Sequence, residues 1–174
     1  MGKKALVIIF LTAILYGSAN AQVVDGPGEQ QINAGVGLSV WGLPFYAGFD
    51  IGVADYFTMG GEVSYRMYDE AWGGYGWQHN ILTFSVNGNY HFTDVFAIPR
   101  EWDIYGGLSL GYMMFNTTYD GPGDVADYAG EMDSDIYLVA QVGARYFFND
   151  NMALHMELGG GSVAGAKVGI SFAL

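Results

Sequence analysis

The final eight residues, KVGISFAL (residues 167–174), alternate strictly between two kinds of side chain. Val168, Ile170, Phe172 and Leu174 are apolar, whereas the residues between them are small or polar. An alternation with a period of two places the two kinds on opposite faces of a β-strand. The stretch therefore predicts a strand with one apolar face, and an apolar surrounding must cover that face.

The same alternation recurs in seven stretches upstream of the last one. They span residues 31–40, 45–53, 58–67, 82–92, 104–114, 135–146 and 154–159. Their lengths are close to the roughly 9–11 residues with which a tilted strand crosses a bilayer. The sequence therefore predicts an all-β fold, an eight-stranded antiparallel transmembrane β-barrel. Its apolar face would meet lipid, and its glycine-rich face would line a narrow interior.

The composition excludes several other classes of protein. Hydrophobic residues make up 51% of the chain and 27 residues are glycine, although the formal net charge is −12. A strongly acidic chain is a poor partner for nucleic acid. The absence of cysteine excludes disulfides and cysteine-ligated metal sites. No stretch of about 18 apolar residues follows the N-terminal region, which argues against a helical membrane protein.

The N-terminal region predicts a secretory signal peptide over residues 1–21. Lys3 and Lys4 precede an uncharged run, and Ala19-Asn20-Ala21 forms a small-x-small cleavage site. Cleavage would leave four basic residues against 18 acidic ones, a difference of −14. Residues 22–30 predict a flexible periplasmic lead, and residues 31–174 the barrel.

The connections between the predicted strands form two alternating sets. One set lies near residues 54–57, 92–102 and 148–151, and the other includes the longer stretches 68–78 and 117–135. Outer-membrane barrels have short periplasmic turns and longer external loops. The first set is therefore expected in the periplasm together with both chain ends.

The sequence resembles the small outer-membrane β-barrels of the OmpX, OmpA-transmembrane-domain and Opa type. The end of the sequence carries the resemblance. Members of the family close with a polar residue, a glycine two residues later, and hydrophobic residues at the third-last and last positions. Here these residues are Lys167, Gly169, Phe172 and Leu174. It implies that the last strand is the signal read by the barrel-assembly machinery during insertion. It also implies a bacterial outer-membrane location, with lipid and lipopolysaccharide as partners. Leu174 departs from the Phe that often ends the family, and the cleavage site before Gln22 is similar to those common in Bacteroidetes.

Charged residues on the inward register are the first candidate site. In a confined lumen they would be costly unless they were paired, so they predict a salt-bridged plug that fills the barrel. A gated or proton-conducting path is the alternative. The residues of this predicted charge cluster are Asp50, Glu62, Arg66, Arg145, Glu157 and Lys167.

The longer connections carry two further sets of candidate residues. Trp72, Tyr75 and Trp77 lie in a glycine-rich segment and are candidates for contacts with a protein or glycan. Asp120, Asp124 and Asp127 are weak calcium candidates, because their spacing is not that of an EF-hand. His155 and Glu157 share a face, but no third partner is evident from the spacing. We therefore expect no metal, no catalytic residue and no cofactor.

The leading functional hypothesis is a non-enzymatic, structural or interaction protein of the outer membrane. It would act through its outer loops or as an accessory subunit of a larger outer-membrane complex. Lipid-facing Gly61, Gly88 and Gly106 would leave smooth grooves where another barrel could dock. The alternatives are a lipid-modifying outer-membrane enzyme, which needs polar catalytic groups near the outer leaflet, and a narrow gated channel.

Overall fold

Eight antiparallel strands form a closed barrel in the computed structural model, which describes residues 26–39, 42–72, 75–120, 134–163 and 165–174. Each strand pairs with the next in sequence, and the last returns to the first. The strands are β1 (Gln30–Ser39), β2 (Phe45–Ala54), β3 (Phe57–Trp72), β4 (Tyr75–His91), β5 (Trp102–Asp120), β6 (Asp135–Phe147), β7 (Met152–Gly161) and β8 (Gly165–Ala173). The predicted all-β, eight-stranded antiparallel barrel is confirmed. The predicted signal peptide lies outside the described residues.

The closing ladder between β1 and β8 explains the alternation at the end of the sequence. The ladder runs from the pair Gln31–Ala173 to the pair Ser39–Gly165. A closed barrel leaves no strand edge within lipid, so the backbone groups of the wall are paired within the wall. In the part of the chain that the structure describes, no helix has the length and apolar character needed to cross a membrane.

Most large apolar side chains of the strands face outward and most small or polar ones face inward, as the alternation predicts. Exceptions buried in the interior are Tyr46, Ile81, Tyr105, Met113, Tyr137 and Phe147. Large apolar side chains on the outer surface include Leu38, Phe49, Val86, Leu110, Val142 and Leu158, all of which are exposed. Aromatic residues cluster near one end of the wall, where the Trp102 and Tyr146 ring centroids are 4.9 Å apart. An apolar band bordered by aromatic rings is the surface that a bilayer covers.

The two ends of the barrel differ. Both described chain ends and the connections β2–β3, β4–β5 and β6–β7 lie at one end, called here the terminal end. The strand ends that the other four connections join lie at the opposite end, the loop end. The two sets of connections therefore separate as the sequence predicts.

Three neighbouring strands are longer than the sequence analysis predicts. β3, β4 and β5 have 16, 17 and 19 residues, whereas β1, β2 and β7 have 10 each. The β4–β5 ladder extends to the pair Gly76–Asp120, but the β5–β6 ladder stops at Met113–Asp135. The three strands thus project past their neighbours at the loop end. The outward residues of this projecting part, such as Gln78 and Asn116, are polar and exposed. The alternation of apolar and polar residues that marks the membrane band therefore ends there, although the strands remain paired.

Two of the three lipid-facing glycines are covered by aromatic rings. Cζ of Phe57 lies 3.1 Å from the place that a Cβ on Gly88 would occupy, and Cε2 of Phe92 lies 3.4 Å from that of Gly106. Aromatic residues commonly shield glycines of a sheet in this way. The predicted smooth grooves are therefore wrong at these two positions. Only Gly61 has no described side chain within 4 Å of its Cβ position.

The turn between β4 and β5 offers a test of backbone strain. Ala97 has a φ of 51° while its N–H donates to the carbonyl of Asp94. Holding an L-residue in this left-handed region costs about 1–2 kcal/mol of conformational free energy. Glycine adopts the region without this strain, so the substitution removes part of the cost. We expect Ala97→Gly to raise the free energy of unfolding by about 0.5–1 kcal/mol in urea titrations of the detergent-folded barrel. Val95→Gly in the same turn, where φ is negative, is the control and should give no gain.

Candidate functional site in the barrel lumen

A buried ionic cluster crosses the lumen toward the terminal end. Arg145 on β6 donates from Nη1 to Oδ2 of Asp103 on β5 at 2.7 Å and from Nη2 to Oδ2 of Asp50 on β2 at 3.2 Å. Their side chains are 2%, 0% and 3% exposed, respectively. These three residues, called here the Arg145 cluster, join strands from opposite sides of the barrel.

Asp103 is the member of this cluster that sequence reasoning missed. It lies between the predicted connection 92–102 and the predicted strand 104–114, so neither segment includes it. Its Oδ1 is 2.7 Å from Nδ1 of His91, whose Nε2 is 3.0 Å from the hydroxyl of Thr58. The sequence does contain the information needed to find it. Asp103 precedes the inward-facing Tyr105 by two residues, so the two side chains must lie on the same face of the strand.

A second ionic cluster lies nearer the middle of the barrel. Nζ of Lys167 on β8 is 2.8 Å from both carboxylate oxygens of Glu62 on β3 and 3.0 Å from Oε1 of Glu157 on β7. The Lys167 side chain is 29% exposed, so this Lys167 cluster is less completely buried than the Arg145 cluster. The structure thus brings five of the six predicted lumen charges into two ion-paired groups.

Tyrosine and histidine side chains link the two clusters. The hydroxyl of Tyr105 donates to Oε2 of Glu157 at 2.8 Å and lies 2.7 Å from Nε2 of His155. Nδ1 of His155 is 3.0 Å from the hydroxyl of Tyr46. Because Tyr105 gives its proton to Glu157, the three bonds are satisfied together when His155 carries its proton on Nε2 and accepts from Tyr46. The Arg145 guanidinium also lies 4.3 Å over the Tyr105 ring.

Glycine makes room for this link. A Cβ on Gly143 would run into the ring and hydroxyl of Tyr105, and one on Gly169 would meet the hydroxyl of Tyr46 and the carbonyl of Ala34. The glycines of the inward register therefore allow two tyrosines to lie across the lumen. The result is a continuous polar network from Asp50 to Glu62.

Arg66 on β3 is the lumen cation that the pairing hypothesis does not explain. Its side chain is buried, and its Nη1 donates to the hydroxyl of Ser39 at 2.9 Å. Nε of Arg66 is buried without a hydrogen-bond partner. Among the described residues, no carboxylate lies within 4 Å of this guanidinium. The expectation that the predicted charges pair with one another is therefore wrong for Arg66, and Asp103 pairs instead.

A cavity of about 80 Å³ lies on the loop-end side of the Lys167 cluster. Arg66 and Lys167 both line it, together with hydroxyl-bearing residues of six strands. Those hydroxyl-bearing residues are Ser39, Tyr46, Ser64, Thr83, Ser85, Ser109 and Tyr137.

The remaining candidates are distributed along the chain. Trp77 lies within β4 and is half-buried rather than in a loop, so its predicted loop position is wrong. Trp72 and Tyr75 form the last pair of the β3–β4 ladder, and their side chains lie outside the described part. Phe172 and Leu174 are on the outward register of the last strand, and their predicted role in assembly stays a prediction.

The metal and catalytic hypotheses depend on other residues. Asp124 and Asp127 lie outside the described residues, as does the side chain of Asp120, so the calcium hypothesis stays a prediction. No group of three or more His, Asp or Glu side chains that could hold a metal ion occurs in the described ranges. His155 and Glu157 face the lumen and are bonded to tyrosines and Lys167 as described above.

Neither a protein-family model nor a curated protein sequence matches the chain. Three solved structures resemble it over most of its length. The outer-membrane protein OprG of Pseudomonas aeruginosa is 12% identical with a TM-score of 0.59, covering 88% of this chain and 99% of that one. The N-terminal β-barrel domain of Pseudomonas aeruginosa OprF is 14% identical with a TM-score of 0.57, covering 86% and 99%.

The third is Ail of Yersinia pestis, solved in complex with the heparin analogue sucrose octasulfate. It is 11% identical with a TM-score of 0.55, covering 85% of this chain and 99% of that one. Likeness at such low identity concerns the fold, and it confirms the predicted structural class. The similarity to Bacteroidetes cleavage sites stays a prediction. The chain therefore has the fold of the small eight-stranded outer-membrane β-barrels.

Proposed function

We propose that the protein is a closed, non-enzymatic barrel with a structural role in the bacterial outer membrane, with both chain ends in the periplasm. The observation that supports this most directly is the polar network that crosses the lumen. Buried charged groups that are paired and hydrogen-bonded hold their positions, because displacing one leaves its partners without compensation. The network thus connects opposite walls of the barrel and fills the space between them.

The same network disfavours a channel. An ion passing along the axis would have to displace Arg145 from two carboxylates and Lys167 from two others. The interior of an eight-stranded barrel is just wide enough for side chains, so there is no path around these groups. We therefore propose that the lumen is closed to ions in the resting state.

The positions of the histidines disfavour a lipid-modifying enzyme. All three histidines of the chain, His79, His91 and His155, are buried on the inward register. General acid–base catalysis on a lipid would require such a group on the outer face, within hydrogen-bond reach of the substrate. Most of the described polar groups of the lumen are instead bonded to one another, and the wall separates them from lipid.

The loop end and the outer face are the surfaces left for interactions. Lipid and lipopolysaccharide would contact the apolar band, and the barrel-assembly machinery would act during insertion. Membership of a larger outer-membrane complex is part of the same proposal. The Ail structure contains a heparin analogue, but a net charge of −12 makes this chain an unfavourable partner for a polyanion.

Conductance measurements test the proposal. The purified barrel, inserted into a planar lipid bilayer, should give no discrete conductance steps, because the network closes the lumen. A general porin inserted under the same conditions is the positive control. Discrete steps in the wild type, with an ion selectivity that changes in Lys167→Met, would contradict the sealed barrel and establish the channel alternative.

A further inference from the structure

The Arg66 side chain is a buried cation that no carboxylate of the described residues contacts. It is 4% exposed, and its one hydrogen bond goes to the hydroxyl of Ser39, which in turn donates to the carbonyl of Gly42 at 3.0 Å. A hydroxyl acceptor solvates one N–H but does not neutralise the guanidinium. A charge taken out of water is strongly unfavourable unless an opposite charge compensates it.

The nearest carboxylates already have partners. Glu62 and Glu157 line the same cavity, but both accept from Lys167, and Glu157 also accepts from Tyr105. They lie on the terminal-end side of the cavity, since Glu62 is four residues before Arg66 along β3. Each is therefore satisfied by the Lys167 cluster rather than by the guanidinium.

Several hydrogen-bond donors around the cavity have no acceptor among the described residues. Nε of Arg66 is buried and has no partner. The hydroxyls of Tyr137 and Ser85 make no hydrogen bond to the described residues. Ser64 and Thr83 share one bond of 2.6 Å, so one of those two hydroxyl protons is left for another acceptor. These donors come from β3, β4 and β6 and line one cavity.

We propose that this cavity binds a small inorganic monoanion such as chloride. The anion would accept from the Arg66 guanidinium and from the hydroxyls of Tyr137 and Ser85, and would give the guanidinium a directly bonded anion. A volume of about 80 Å³ is enough for a monatomic anion with accompanying water.

The direct test uses bromide as the probe. Crystals of the refolded barrel grown in sodium bromide should show an anomalous peak in the cavity, within hydrogen-bond distance of the Arg66 guanidinium and the Tyr137 hydroxyl. Crystals of Arg66→Gln under the same conditions should lack the peak. A cavity that shows only water in bromide-grown wild-type crystals would overturn the proposal.

A titration in solution provides the quantitative test. Thermal unfolding in detergent, at constant ionic strength with chloride replacing gluconate, should show a midpoint that rises with chloride as a ligand binds the folded state. Arg66→Gln should weaken the apparent chloride affinity about tenfold or more, since it removes a charge-assisted bond. Tyr137→Phe should weaken it by a smaller factor.

Arg100 supplies the matched control, because it is exposed in the turn between β4 and β5. Arg100→Gln removes the same charge and should keep the chloride dependence of the wild type. Equal dependence on chloride in the wild type and Arg66→Gln would show that any effect arises elsewhere, and would refute the site. Since the test follows ion binding and not conductance, its failure would leave the sealed-barrel proposal standing.

Discussion

Replacing Arg145 by methionine should lower the free energy of unfolding by about 3–5 kcal/mol. The substitution keeps a long side chain in the lumen but removes the cation that two buried carboxylates share. Asp103 is 0% exposed and Asp50 is 3% exposed, so solvent cannot replace the lost partner. The cost comes mainly from the uncompensated anions and not from the missing attraction itself.

Urea unfolding in lipid vesicles, followed by the fluorescence of the chain's four tryptophans, measures this change. Arg100→Met, in the exposed turn, is the control and should change the stability by less than about 0.5 kcal/mol. Adding Asp50→Asn and Asp103→Asn to Arg145→Met should recover much of the loss. If the single variant is as stable as the wild type, the Arg145 cluster does not hold the barrel together.

Replacing Lys167 by methionine should cost about 1.5–3 kcal/mol. The reason is similar, since Glu62 and Glu157 would be left facing each other across the lumen. The expected loss is smaller than at Arg145 because the Lys167 side chain is 29% exposed and water reaches the site from the cavity. The same urea titration gives the value.

A double-mutant cycle separates the ion pair from the packing of the lysine stem. Glu62→Gln, Lys167→Met and the combined variant should show a coupling energy of about 1 kcal/mol or more, since the groups are 2.8 Å apart. If the losses in the combined variant are additive, Lys167 stabilises the barrel through packing. That outcome would contradict a stabilising ion pair between Lys167 and Glu62.

The period-two pattern alone was enough to predict the barrel. In each of the eight stretches it placed most of the large apolar residues on one register, and the described residues of that register are on the outer surface. It also placed Arg145, Lys167 and their carboxylates inside. This part of the fold is local, because the face on which a residue lies depends only on its parity along the strand.

The pairing within the lumen could not be predicted in the same way. Whether Arg145 meets Asp50 or Glu62 depends on how far neighbouring strands are staggered around the barrel. That stagger accumulates over several ladders and leaves no mark on the alternation of any single strand. The lack of a carboxylate beside Arg66, among the residues that the structure describes, has the same origin.

Strand ends were the other limit of sequence reasoning. Asp103 precedes the apolar residue at which the fifth strand was taken to begin, although its pairing with Arg145 across the β5–β6 ladder is regular. Beyond the membrane band, β3, β4 and β5 continue with polar residues on the outer face. Water replaces lipid there, so the apolar signal stops before the strand does.

The division of the wall into two faces also governs how such a sequence can change over time. Hydrocarbon accepts leucine, isoleucine, valine or methionine almost equally, so the outward residues are free to change one at a time. The inward residues are tied in groups drawn from several strands, and a change at Arg145 requires changes at Asp50 and Asp103. Shape should therefore outlast recognisable sequence.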